Sequence, residues 1–287
     1  MPSRVAAAVL FAVTFLLFSI ANADSEAAEN HDHGAHDQAG LSMISAAIDS
    51  ASELKTGEPT TLTLSLTAKN GKPVAPADLQ VAHTEKLHLL IVDPSLSDYH
   101  HVHPKPGPNP GTYIFTLTPK KAGEYQVFAD LLPTATQQQQ YVSARFTVAG
   151  TPSAMEKAVN STATVAGYTF ALQFADGKII AGQPGMARLT VTDADGQSVA
   201  QLEPVMGAFV HMVGFNEDRS EIAHIHPMGK EPATAAERGG PTLEFHINFA
   251  TSGYKKLFAQ VKIDGKPVFA PFGINVVSTP LSKPASF

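Results

Sequence analysis

From residue 41 onward, short apolar and β-branched runs alternate with clusters of Gly, Pro, Asn and Asp. Residues 62–68 (LTLSLTA) alternate apolar and polar positions strictly, while 87–92 (LHLLIV) are apolar almost throughout. Similar runs follow at 113–117, 125–129 and 141–148, and no stretch keeps a long apolar period of 3.6 residues. Several short strands bounded by turn residues predict an antiparallel sandwich.

The pattern then repeats. Gly57-Glu58-Pro59 and residues 67–74 recur 125 positions on, residues 88–104 recur 123 on, and residues 122–129 recur 130 on. Drifting offsets are what loop insertions produce between duplicated strands. The expected fold class is therefore all-β: two tandem immunoglobulin-like antiparallel β-sandwich domains related by internal duplication. They are placed at 41–150 and 162–278, with a turn-rich linker at 151–161 and a loose tail at 279–287.

The start of the chain reads differently. Arg4, an apolar run from Ala6 to Ile20 and the small-x-small triplet Ala21-Asn22-Ala23 predict a cleavable secretory signal over 1–23. The alternative, an uncleaved anchor, would be shorter than the ~20 residues a spanning helix needs. The mature chain is thus expected to be exported, periplasmic or secreted, without membrane insertion. Residues 24–40 carry His31, His33 and His36 in a polar, aperiodic leader, read as disordered: either solvated sequence or a weak metal-capture arm.

Composition narrows the chemistry. The absence of cysteine removes disulfides and thiolate ligands, so the two cores must hold without cross-links. The net charge of −6 and the lack of a basic stripe argue against nucleic acid as a partner. The absence of tryptophan weakens a sugar-stacking site.

Eight of the twelve histidines fall in two matching segments, 83–104 and 206–227. Each reads as a hairpin, with strands 87–92 and 99–103 in the first copy and 210–215 and 222–226 in the second. Centred turns place His88 opposite His103, and His211 opposite His226, with Cβ atoms ~4.5–5.5 Å apart. Side chains alternate faces along a strand, so His101 joins the first pair and His224 the second. Two metal sites are expected: His88, His101 and His103, and His211, His224 and His226, each at the mouth of a sandwich core. Their apolar faces continue with Leu90, Val92 and Tyr99, and with Val213, Phe215 and Ile222. A fourth ligand is suggested where the repeat aligns His83 with Met206. Imidazole suits copper and zinc, and a thioether favours copper, so copper is the expected metal with zinc as the alternative. Glu85 is a candidate to orient an imidazole or a solvated charge. Met212 and Met228 align with no ligand in the first copy, and His100 and His246 are not expected to ligate. The competing reading of both clusters is a structural histidine corner copied by the duplication.

The stretch Glu85-Lys-Leu-His-Leu-Leu-Ile-Val92, with His101-Val-His-Pro104 and Gly123-Glu-Tyr-Gln-Val-Phe-Ala-Asp130, resembles exported bacterial immunoglobulin-like proteins akin to YtkA-like domains. Gly253-Tyr-Lys-Lys-Leu-Phe-Ala-Gln260 and Ala270-Pro-Phe-Gly273 are similar to tandem members. The resemblance implies export, a sandwich fold and an association with heavy-metal handling. Copper carriers of the CopC type are similar in class but use an amino-terminal histidine, whereas the expected mature terminus here is Asp24. Copper/zinc superoxide dismutases also carry His-x-His on a strand, but their disulfide cysteines are missing. The expected function is copper carriage or sequestration in the periplasm, with a metal ion and another envelope metal-handling protein as partners. No carboxylate pair or serine triad points to an enzyme. The alternative is a tandem structural or protein-interaction module of the cell envelope.

Overall fold

Alternation of buried and exposed positions organises the strands of the computed structural model, which describes residues 43–82 and 84–278. The expected signal, leader and tail, and His83, lie outside the described residues. In the first half the strands are β1 (Ile44–Ser50), β2 (Thr60–Ala68), β3 (Leu79–Gln80), β4 (Leu87–Val92), β5 (Tyr99–Val102), β6 (Lys105–Pro106), β7 (Thr112–Leu117), β8 (Gly123–Pro133) and β9 (Gln140–Val148). One sheet runs β1-β2-β7-β6. In the other, β8 pairs with β3, β4 and β9, and β4 pairs with β5.

The second half repeats this plan with β10 (Thr162–Val165), β11 (Tyr168–Phe174), β12 (Ile179–Ile180), β13 (Gly185–Thr192), β14 (His211–Asn216), β15 (Ile222–Ile225), β16 (Thr242–Ile247), β17 (Gly253–Ile263) and β18 (Lys266–Val277). Its sheets run β10-β11-β13-β16 and β12-β18-β17-β14-β15. The chain is a tandem β-sandwich, as the repeat predicts. Among the described residues, no helix is long and apolar enough to cross a membrane.

Burial explains which strands alternate and which do not. In β2 only Leu62, Leu64 and Leu66 are buried, because that strand has one covered face. In β4 all six residues are buried. Leu89 and Ile91 enter the first domain's own core, with Leu64, Tyr125 and Val127. Leu90 and Val92 point the other way, into a separate cluster with Tyr99, Phe128 and Tyr141 of the first domain and Val213, Phe215, Ile222 and Phe258 of the second. Tyr99 stacks on Phe258 with ring centroids 4.9 Å apart. The second domain has its own core around Phe170, Leu189, Met212, Phe245 and Leu257. The two sandwiches thus dock through the outer faces of their hairpin sheets.

The turns that set hairpin register are matched in the two copies. Asp93 accepts from the backbone N–H groups of Ser95, Ser97 and Asp98, and Asn216 from that of Glu221. Leu96 and Arg219, at equivalent turn positions, both take positive φ. After the turn, Asp98 accepts from the Tyr125 hydroxyl at 2.6 Å and the Lys120 N–H at 2.7 Å. Glu221 accepts from Lys255 Nζ and the Ala250 N–H, each at 2.6 Å, and from the Thr251 hydroxyl. These buried carboxylates tie each returning strand to the loop before β8 or β17, and all their partners are ionic or hydrogen-bonding groups.

The linker packs against the second domain at a place that admits no side chain. Asn160 N–H donates to the Gly273 carbonyl at 2.9 Å, and Gly273 N–H donates to Asn160 Oδ1 at 3.0 Å. A Cβ on Gly273 would overlap the Ala158 carbonyl oxygen. Gly273→Ala is therefore expected to destabilise the protein by about 1–3 kcal/mol through overpacking. Chemical denaturation of the variant checks this, and an unchanged midpoint would contradict it.

Candidate metal centre

The ladder between β4 and β5 pairs Leu90 with His101 and Leu89 with Val102, so one step further His88 stands opposite His103. In the second copy Met212 pairs with Ile225 and Val213 with His224, which sets His211 opposite His226. Ring centroids in these opposed pairs are 4.6 Å apart in both copies.

The surroundings differ from the expectation of two separate sites at the mouths of two cores. Leu89, Ile91 and Met212 already fill the cores, so the alternate positions carrying histidine face outwards, where the other domain covers them. The two triads meet. Rings of His101 and His224 are 5.5 Å apart, as are those of His101 and His211, and His88 and His224 are 5.7 Å apart. His88, His211 and His224 are buried, while His103 and His226 keep partial exposure.

Hydrogen-bond acceptors fix how four of these rings point. His88 Nε2 is 3.0 Å from the Ala82 carbonyl, and His211 Nε2 is 3.0 Å from the carbonyls of Val205 and Met206. A carbonyl has no proton to give, so both Nε2 atoms donate and both Nδ1 atoms carry the lone pair. The other two rings are held across the domain boundary. His224 Nδ1 lies 2.7 Å from Asp130 Oδ2, and His101 Nδ1 lies 3.2 Å from Gln260 Oε1. Their Nε2 atoms are then the lone-pair atoms. Asp130 and Gln260 are equivalent in the repeat: each pairs across the sheet with the first histidine of its own domain, Asp130 with His88 and Gln260 with His211.

These ring nitrogens converge. His88 Nδ1 stands 3.2 Å from His101 Nε2, and His211 Nδ1 stands 3.4 Å from His224 Nε2. His103 Nε2 is 3.0 Å from His88 Nδ1. Two nitrogens each ~2.0–2.1 Å from one ion and separated by 90–110° stand roughly 2.9–3.4 Å apart. Ligand atoms of His88, His101 and His103 lie within 4.8 Å of one another, and so do those of His101, His211 and His224. The second set thus contains His101 from the first domain, with His226 alongside at ring distances of 4.6 Å and 4.7 Å from His211 and His224.

Other expected residues take different places. Met206, at positive φ, meets the cluster through its backbone carbonyl, which His211 reaches. Glu85 Oε1 is 3.7 Å from His103 Nδ1, ion-pair range but longer than a hydrogen bond. Met212 is in the second core, His100 sits 3.1 Å from Asp98 on the opposite strand face, and His246 is exposed on β16. Met228 is exposed and borders a hollow of about 30 Å³ beside His226. Asp130 and Gln260 are members of the cluster that strand pattern and histidine spacing miss. Their signal is a polar residue after Phe-Ala at equivalent points of two apolar strands.

The family model for Domain of unknown function (DUF8832) matches the chain twice, over residues 43–150 and 163–278. The chain belongs to the DUF8832 family. Each DUF8832 domain supplies three of the six clustered histidines. No curated protein matches the chain. Among solved structures, FdeC, an Escherichia coli adhesin, aligns at 18% identity and a TM-score of 0.25. The alignment covers 82% of this chain and 64% of that one, and a likeness so remote carries no functional argument.

Docking of the DUF8832 domains also sets the protonation of the cluster. Desolvation holds His88 below the ordinary imidazole range against the raising influence of Asp130. It holds His101 well below that range, helped by repulsion from His224, His211, His88 and His103, and it lowers His103 as well. A histidine with a lowered folded pKa takes up its proton later than the unfolded chain does as pH falls, so the unfolded state gains protons first. Stability of the metal-free protein is therefore full above the unfolded histidine pKa of ~6.5 and declines as pH falls through and below it. Thermal melts at pH 8 and pH 5.5 check this: a lower melting temperature at pH 5.5 is expected, and an equal or higher one would contradict it.

Proposed function

We propose that the two DUF8832 domains jointly bind a transition-metal ion, copper before zinc, as an exported carrier or sequestering protein that acts by reversible coordination. The observation that carries this reading is the convergence of acceptor-fixed imidazole nitrogens, 3.2 Å and 3.4 Å apart within the two domains, with His101 of the first domain within 4.8 Å of the ligand atoms of His211 and His224 of the second. Neutral nitrogen donors without thiolate suit copper(II), which leads the divalent first-row series, and zinc follows. Acceptors on the distal ring nitrogens are what metal-ligating histidines ordinarily have. The apparent signal sequence and the YtkA-like resemblance support export and metal handling, with another envelope metal-handling protein as the source or recipient of the ion.

A second reading has its own observation. His224 hydrogen-bonds to Asp130 and His101 to Gln260 across the boundary, which is enough for the histidines to hold the sandwiches together without any ion. The chain would then be a tandem structural or interaction module of the envelope, built on its two DUF8832 sandwiches.

Elemental analysis and thermal melts with copper(II) and zinc(II) separate the two readings. A ligand that binds only the folded state at 100 times its Kd stabilises by about 2.7 kcal/mol. The metal-binding reading expects bound copper and a raised melting temperature, both lost in His101→Ala. It further expects Asp130→Asn, which leaves all six imidazoles in place, to weaken copper affinity by about 10–100-fold. Absence of binding and of any shift with either metal, together with a lower melting temperature for His101→Ala, would favour the structural module.

A further inference from the structure

The two ligand sets are not independent, because His101 belongs to both. Its Nδ1 is committed to Gln260 Oε1, which leaves one lone pair, on Nε2. One lone pair serves one ion at a time. Serving two would require the ring to give up its proton and its bond to Gln260.

The sets also differ in access and in donor strength. In the first, the His103 side chain is 21% exposed and the half-exposed carboxylate of Glu85 stands 3.7 Å away, a negative group beside an open ligand. In the second, His211 and His224 are buried, and Nε2 of the neighbouring His226 is buried too. His224 is backed by the Asp130 carboxylate, whereas His101 is backed only by an amide. A carboxylate on the distal N–H raises the basicity of a ligating imidazole more than a neutral acceptor does.

We infer that the two sets are successive stations for a single ion, received at His103 and passed through His101 to the inner station with His211 and His224. This deepens the metal-binding reading and rests on it. The ion exchanges ligands pairwise: with His101 held throughout, His88 and His103 are released as His211 and His224 engage. The inner station sets affinity and the outer one sets the rate of exchange with solvent.

The test uses copper(II) and the metal-free full chain, with stoichiometry from elemental analysis, Kd from competition titration and rates from stopped-flow mixing. Wild type is expected to bind one ion. His103→Gln should slow uptake and release together and leave Kd within about threefold, whereas Asp130→Asn should raise Kd about tenfold or more through faster release, with uptake unchanged. Circular dichroism reports folding. If His103→Gln does not fold, Glu85→Gln at the same mouth replaces it and should slow uptake without changing Kd. Two ions per chain at saturation, or variants of the two stations altering the same rate, would overturn the relay while leaving metal binding intact. A chain that binds no copper would overturn both.

Discussion

Face-to-face docking of the two hairpin sheets is the constraint on which the rest depends. Leu90, Val92, Tyr99 and Phe128 on one side meet Val213, Phe215, Ile222 and Phe258 on the other. Fully burying such side chains stabilises by about 1.5–3 kcal/mol each, which is enough to carry polar neighbours into a desolvated place. The histidines continue the same strand faces, so the apolar contact brings the two triads together and removes them from water. Orientation then follows from the carbonyls of Ala82, Val205 and Met206 in the turns before β4 and β14, and from the side chains of Asp130 and Gln260 on β8 and β17.

Much of this was legible along the chain because it is local. Alternation, turn residues and the internal repeat specify both hairpins, and the observed ladders put His88 against His103 and His211 against His226. Docking was not legible. Leu90 and Val213 read equally well as facing a core or a partner, since periodicity gives the face of a strand and not what covers it. Two sites therefore read as separate where the structure has one cluster. Met206, aligned as a thioether ligand, contacts the cluster through its backbone carbonyl, a contact that alignment of side chains does not reveal.

Duplication followed by divergence explains the mixture of symmetry and difference. The equivalent carboxylates Asp98 and Glu221 perform the same tie, yet one meets Tyr125 and the other Lys255. The turn anchors are Asp93 and Asn216. Closest to the cluster, the exchange is Asp130 for Gln260, which places a negative charge behind one central imidazole and a neutral amide behind the other. Equivalent backbone geometry with unequal electrostatics is what lets two copies of one domain form a histidine cluster with two different halves.

Whether the proposed ion is shared by imidazoles of both domains can be read from anomalous diffraction by crystals of the copper-loaded chain. One copper peak is expected inside the histidine cluster, within bonding distance of imidazole nitrogens from both domains. Separate peaks each ligated by one domain alone, or no peak among the six rings, would contradict it.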